Sequence, residues 1–204
     1  MNTQKTNTKF IEQIERHVNI LLLPLENHYF HQFEHALEVK NRVIDIAEKE
    51  WLNTSDIELL TIAALFHDTG FIIQYDNNEY IWAKIARNYL KGILFPEDKI
   101  KTIERLIIAT KPEYKKPIDI LEQIIIDSDL DNLWRDDFFK RWNDLKREIE
   151  TIKKIKLHKP DWQHASLELL NSYTYFTQTQ KEERSNKKAK NAEILKEMIK
   201  SEEK

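Results

Sequence analysis

The 204-residue chain contains no cysteine, which removes disulfides, thiolate metal sites and a cysteine nucleophile at once. Only two glycines occur, Gly70 and Gly92, too few to build a glycine-rich phosphate loop or a dinucleotide fingerprint. Long apolar runs are missing as well. No stretch approaches the run of about 18 apolar residues that a membrane span needs, and the opening MNTQKTNTKFIEQIERH has no uninterrupted apolar core of a signal peptide. No membrane association and a cytoplasmic location are therefore expected. Neither sign of charge dominates: 32 Lys and Arg stand against 35 Asp and Glu, a formal net charge of -3, so bulk electrostatics gives no reason to expect DNA or RNA binding. There is no internal repeat and no linker rich in proline or serine.

What is present reads as helix. Hydrophobic residues make up 41% of the chain, enough for one sizeable core and one domain. Apolar residues recur at helical spacing, as at Phe10, Ile14, Val18 and Leu21 or at Phe138, Trp142, Leu145 and Ile149, with no sustained alternation of period two. The expected fold class is all-α, with helices near 8–23, 31–50, 56–67, 79–91, 97–109, 118–133, 136–155, 161–176 and 181–200. Ser55 with Glu58 forms a capping-box pattern and Asp119 with Glu122 a similar one, while Pro96 and Pro117 mark further starts. Residues 1–180 read as the single domain. Residues 181–204 turn sharply towards Lys and Glu, leaving Ile194, Leu195, Met198 and Ile199 to pack, and are expected to form a surface helix or tail on that domain, frayed at its end.

The most informative feature is His67-Asp68, at the end of the apolar run LLTIAALFHDTGF. A helix that is apolar nearly all round belongs in the centre of a bundle, and its end is where a cavity can open. Gly70 can leave such a helix with positive φ and let both side chains aim into one pocket, although a plain glycine C-cap explains it equally well. His35, in HQFEHALEV, shares the inward side of its helix with Val39, Val43 and Ile46; a lone histidine there is usually a hydrogen-bonded core residue. In DSDLDNL, the 100° per residue of a helix places Asp129 on the stripe of Ile118, Leu121 and Ile125, with Asp127 and Asp131 about 160° away on the more polar side. A carboxylate in an apolar stripe must be paired, protonated or metal-bound. Alone, Asp129 fits an ion pair with an unseen Lys or Arg better; beside the other motifs it becomes a fourth ligand.

The order His35, His67-Asp68, Asp129 resembles the HD superfamily of metal-dependent phosphohydrolases. The likeness extends to YFHQFEHALEV, ALFHDTGF, the IIAT-K block ending at Lys111 and DSDLDNL, over roughly residues 28–135, and it is closest to a small single-domain bacterial subgroup. The resemblance implies a helical bundle with a divalent metal in its centre, held by His35, His67, Asp68 and Asp129, and a small phosphorylated substrate such as a nucleotide. Nitrogen and oxygen donors without sulfur suit Mn, Fe, Co, Ni, Zn or Mg. Asp68 would also orient or deprotonate the hydrolytic water. His31, one turn before His35, and Lys111 are the further candidates for substrate contact, with Arg135 beside them; exposed or capping roles compete at each, and for Lys115 and Lys116 solvation is preferred. His17, His28, His158 and His164 lie in no motif.

Two departures stand out. Related subgroups follow HD with a histidine and a glutamate, whereas here the segment reads DNNEYIW, with Asn78 at the histidine position and Glu79 after it. One metal per chain is expected rather than two. Trp134 replaces a small residue after DLDNL and is expected to narrow the pocket or alter what enters it. A non-catalytic HD-fold sensor or adaptor that binds metal or nucleotide is the alternative function, and an oligomer is open to either.

Overall fold

The computed structural model describes residues 2–76, 78–111 and 116–202. Helices α1 (Asn2–Leu22), α2 (Phe33–Lys49), α3 (Thr54–Phe66), α4 (Glu79–Gly92), α5 (Glu97–Ala109), α6 (Ile120–Asp129), α7 (Phe138–Lys153), α8 (Lys159–Ser172) and α9 (Gln178–Glu202) follow in chain order, with 3-10 turns at Thr69–Ile72 and Leu130–Trp134. Among the described residues there is no strand. Lys115 lies outside them.

The all-round apolar helix does sit in the middle. Residues Leu59 to Phe66 of α3 are buried without exception, and α1, α2, α4, α5 and α6 all pack against it. Each fully buried Leu, Ile or Phe there contributes about 1.5–3 kcal/mol. A second apolar cluster joins Leu133, Phe138, Trp142, Leu170, Ala192, Leu195 and Ile199, so α7, α8 and α9 meet over the 3-10 turn that follows α6. Helix α9 begins at Gln178 and buries Lys188, Asn191 and Ala192 as well as Leu195 and Ile199, while Ile194 is exposed. At its far end Glu202 meets Lys159.

Local punctuation differs from expectation in two places. Helix α3 is capped by Asn53, whose side chain accepts from the Asp56 amide at 3.0 Å, two residues before the Ser55 pattern; Glu58 is instead drawn across to Lys99 of α5 at 3.2 Å. Helix α6 starts at Ile120, leaving Ile118 exposed, and ends at Asp129, where the chain tightens into the 3-10 turn. The Asp119 cap is as expected, accepting from the Glu122 amide at 2.9 Å. Scarcity of glycine shows at the helix ends: Trp51, Leu94 and Lys154 occupy left-handed backbone with φ of 61°, 57° and 53°, where glycine is the usual residue.

Candidate metal centre

Three elements deliver four side chains to one point. His35 comes from the buried face of α2, with Val39, Val43 and Ile46 beneath it; His67 and Asp68 follow the last turn of α3, and Asp129 closes α6. His35 Nε2 lies 3.1 Å from Asp129 Oδ1 and 3.6 Å from Asp68 Oδ2. His67 Nε2 lies 3.2 Å from Asp68 Oδ2 and 3.3 Å from Asp129 Oδ1. His35, His67 and Asp129 alone already place one donor atom each within 4.8 Å of one another, and Asp68 joins through Oδ2. Three of the four are buried, whereas the Asp129 side chain keeps 22% of its surface, which puts it at the mouth.

The donor set fits a divalent cation. His67 Nδ1 is 2.7 Å from the Ala64 carbonyl, which can only accept, so Nδ1 carries the hydrogen and the neutral ring turns the Nε2 lone pair inward. His67 Nε2 and Asp68 Oδ2 are buried without a hydrogen-bond partner, a costly arrangement for a protein interior unless a cation meets them. Without a cation the cluster is held by protons. Burial alone would lower the His67 imidazole, but the facing Asp68 and Asp129 carboxylates outweigh it and lift it well above its usual value. Burial would raise Asp129, yet its hydrogen bond to His35 and the facing His67 imidazole carry it far below the carboxylate range. Asp68 is likewise lowered, with His67 the main opponent of burial.

A cleft of about 270 Å³ opens onto the exposed side of the cluster, bounded by His35, Asp129, Ser128, Asn132, Arg135 and Arg42. Its volume is near the small end for ligand sites. Arg135 reaches its rim while paired with Glu38 at 3.1 Å and Asp137 at 2.7 Å. Trp134 does not narrow this cleft; it packs beneath Arg184, 3.6 Å from the guanidinium carbon, and Lys187. Lys111 stands apart from the cleft lining, 3.7 Å from Glu79 and over the Tyr80 ring. His31 is brought to the cluster from the other side: its ring stands edge-on to that of His35 at 6.1 Å, and its Nδ1 bonds Glu148. Burial pulls the His31 imidazole down, but Asp68 and Glu148 more than offset this and raise it.

Several expectations about the surroundings need correction. Gly70 has no positive φ. Its lack of a side chain matters because a Cβ would fall 1.8 Å from Trp82 Cδ1 and 2.8 Å from the Asn78 carbonyl oxygen, so it is close approach that calls for glycine. Asn78 is buried and its amide donates to the Gln74 and Tyr75 carbonyls, both at 3.0 Å; it closes a turn. Asp127 does not face a polar exterior. It is fully buried and accepts from the Tyr173 hydroxyl at 2.7 Å, the Thr177 amide at 2.8 Å and the Thr177 hydroxyl at 2.7 Å, because the segment after α8 covers that side of α6. Asp131 pairs with Arg42 at 3.0 Å. Sequence reasoning also passed over Glu148, Tyr75 and His28. His28 is buried against Phe71 and Tyr75 with neither ring nitrogen partnered, and burial lowers its pKa.

The stretch of sequence that carries the four cluster residues matches a known family. Residues 33–131 fit the family model of the HD domain. The chain carries an HD domain over these residues. HD-domain proteins are generally metal-dependent hydrolases, and all four cluster residues lie inside the matched span, whereas His31 and Glu148 lie outside it. Two solved structures share the fold. The Lin1889 protein from Listeria innocua is 18% identical, with 97% of this chain and 96% of that one covered and a TM-score of 0.62. Bacillus subtilis YpgQ, solved in complex with ADP, is 20% identical, with 95% and 97% covered and a TM-score of 0.65. No curated protein matches the chain. Among the described residues of the HD-domain protein, no helix is long and apolar enough to cross a membrane.

Proposed function

We propose that the HD-domain protein hydrolyses the phosphate ester of a small molecule, most readily a nucleotide or related metabolite, with one divalent metal bound by His35, His67, Asp68 and Asp129. The observation that carries this reading is the convergence of two Nε2 and two carboxylate oxygen atoms at 3.1–3.6 Å, with His67 Nε2 and Asp68 Oδ2 lacking any other partner. A bound divalent cation supplies Lewis acidity, offsetting phosphate charge and easing deprotonation of water. Asp68 accepts a hydrogen bond from the attacking water and takes its proton. His31 meets the phosphoryl group from the α7 side, and Lys111 supplies positive charge for it from beside Glu79. The side-chain amide of Asn78, spent on two backbone carbonyls, argues for a single metal. The ADP bound to YpgQ favours a nucleotide among phosphate esters.

The test is phosphate release from nucleotides and sugar phosphates, with Mn, Fe, Co, Ni, Zn and Mg in turn, for wild type and Asp68→Ala. Metal-dependent release that disappears in a folded Asp68→Ala protein is the expected result. No release with any metal, from protein that demonstrably binds one, would move the assignment to a binding module.

A further inference from the structure

Glu148 comes from α7, beyond the residues that match the HD family. Its side chain is fully buried, and its contacts converge on one imidazole. Oε1 accepts from His31 Nδ1 and, at 3.0 Å, from the Tyr75 hydroxyl. Oε2 accepts from the backbone amides of Phe30 at 2.8 Å and His31 at 3.1 Å. A buried carboxylate is tolerated only when so satisfied, and here three of its four donors belong to residues 30 and 31. The carboxylate therefore grips both the ring and the backbone that carries it. With Nδ1 committed, Nε2 is the ring nitrogen left to meet a ligand. Phe71, with its ring centroid 4.3 Å from that of His31, backs the ring, and His35 stands edge-on to it, so its position is set on three sides.

We propose that Glu148 is a positioning residue: by accepting from Nδ1–H it fixes the rotamer of His31, so that as the imidazolium the ring donates from Nε2–H to a phosphate oxygen of a ligand seated on the His35, His67, Asp68 and Asp129 cluster. The inference rests on the reading of that cluster as a phosphate-ester site. It assigns the segment after the matched HD region a part in the site: α7 completes what α2, α3 and α6 begin.

Two measurements test it. Nitrogen NMR of His31 in the wild-type protein reads directly which ring nitrogens carry hydrogen and needs no variant; hydrogen on Nδ1 is expected, and an Nδ1 without hydrogen overturns the proposal. Calorimetric titration of inorganic phosphate into manganese-loaded protein then compares wild type, Glu148→Gln, His31→Ala and the double variant. Each single change is expected to weaken phosphate binding about 10- to 100-fold, and the double variant no more than His31→Ala alone. Multiplying losses, wild-type affinity in Glu148→Gln, or no phosphate binding by wild type would each overturn it. Phosphate binding governed by the pair in a protein that hydrolyses no ester would remove the hydrolase reading and leave this one standing. Normal turnover by Glu148→Gln would do the reverse.

Discussion

The two glycines make a matched experiment. At Gly70 an added Cβ falls 1.8 Å from Trp82 Cδ1 and 2.1 Å from its Nε1, and carrying the indole out to 3.4 Å, where ordinary contact begins, requires a displacement of about 1.6 Å. The indole cannot swing freely, since Trp82 is buried with its ring 5.3 Å from Phe71 and 6.2 Å from His67, and the Asn78 carbonyl at 2.8 Å is backbone. Overpacking of this kind costs about 1–3 kcal/mol, and the second clash places Gly70→Ala at the upper end. For a chain of this size each kcal/mol lowers Tm by about 2–4 °C, so a fall of roughly 6–12 °C is expected. Because Asp68 is two residues away, metal affinity should drop about tenfold as well. Gly92, the last residue of α4, has nothing within 4 Å of a Cβ, so Gly92→Ala should be neutral or stabilise by up to about 1 kcal/mol. Thermal melts and metal titrations of both variants are the assay. A Gly70→Ala protein that melts and binds metal like Gly92→Ala would refute the close-approach argument.

Metal binding should release protons and strengthen with pH. The raised His67 pKa is contributed by its carboxylate neighbours, so in metal-free protein the stability it confers is complete below the usual imidazole value and lost as pH rises through the folded one; a cation must displace that proton. Calorimetry in buffers of different ionisation enthalpy reads the release, and an affinity flat between about pH 6 and 8 would contradict it. Asp127→Ala should cost about 3 kcal/mol or more, since it strands the buried Thr177 amide and hydroxyl and the half-buried Tyr173 hydroxyl; a denaturant melt within about 1 kcal/mol of wild type would show those bonds to be dispensable. Leu94→Gly should stabilise by up to about 1 kcal/mol, because the residue has φ of 57° and its side chain is 91% exposed, so strain is relieved with no packing lost. A lowered Tm would count against strain at that turn.

Much of the molecule was legible because its signals are local. Helical spacing and Asp119 set the course of α5 and α6, and the apolar run before His67 placed α3 at the centre. The face argument singled out Asp129, whose angular offset from Asp127 survives folding. The same argument misplaced Asp127, since it treated the far side of α6 as solvent, while the segment around Tyr173 and Thr177 covers it from 46 to 50 residues away. Ser55 gave a valid capping pattern that lost to Asn53, whose amide side chain already met the Asp56 backbone.

By itself, then, the order of residues determined an all-α chain and its central helix, because helix periodicity acts over a few turns, and its motifs marked four side chains that the structure brings together. Tertiary structure alone decided that Gly70 makes room for Trp82, that Asn78 closes a turn, and that Glu148 reaches His31 across 117 positions. Those outcomes depend on which distant helices meet, and a buried glutamate beside an apolar stripe looks, in sequence, like one that faces water.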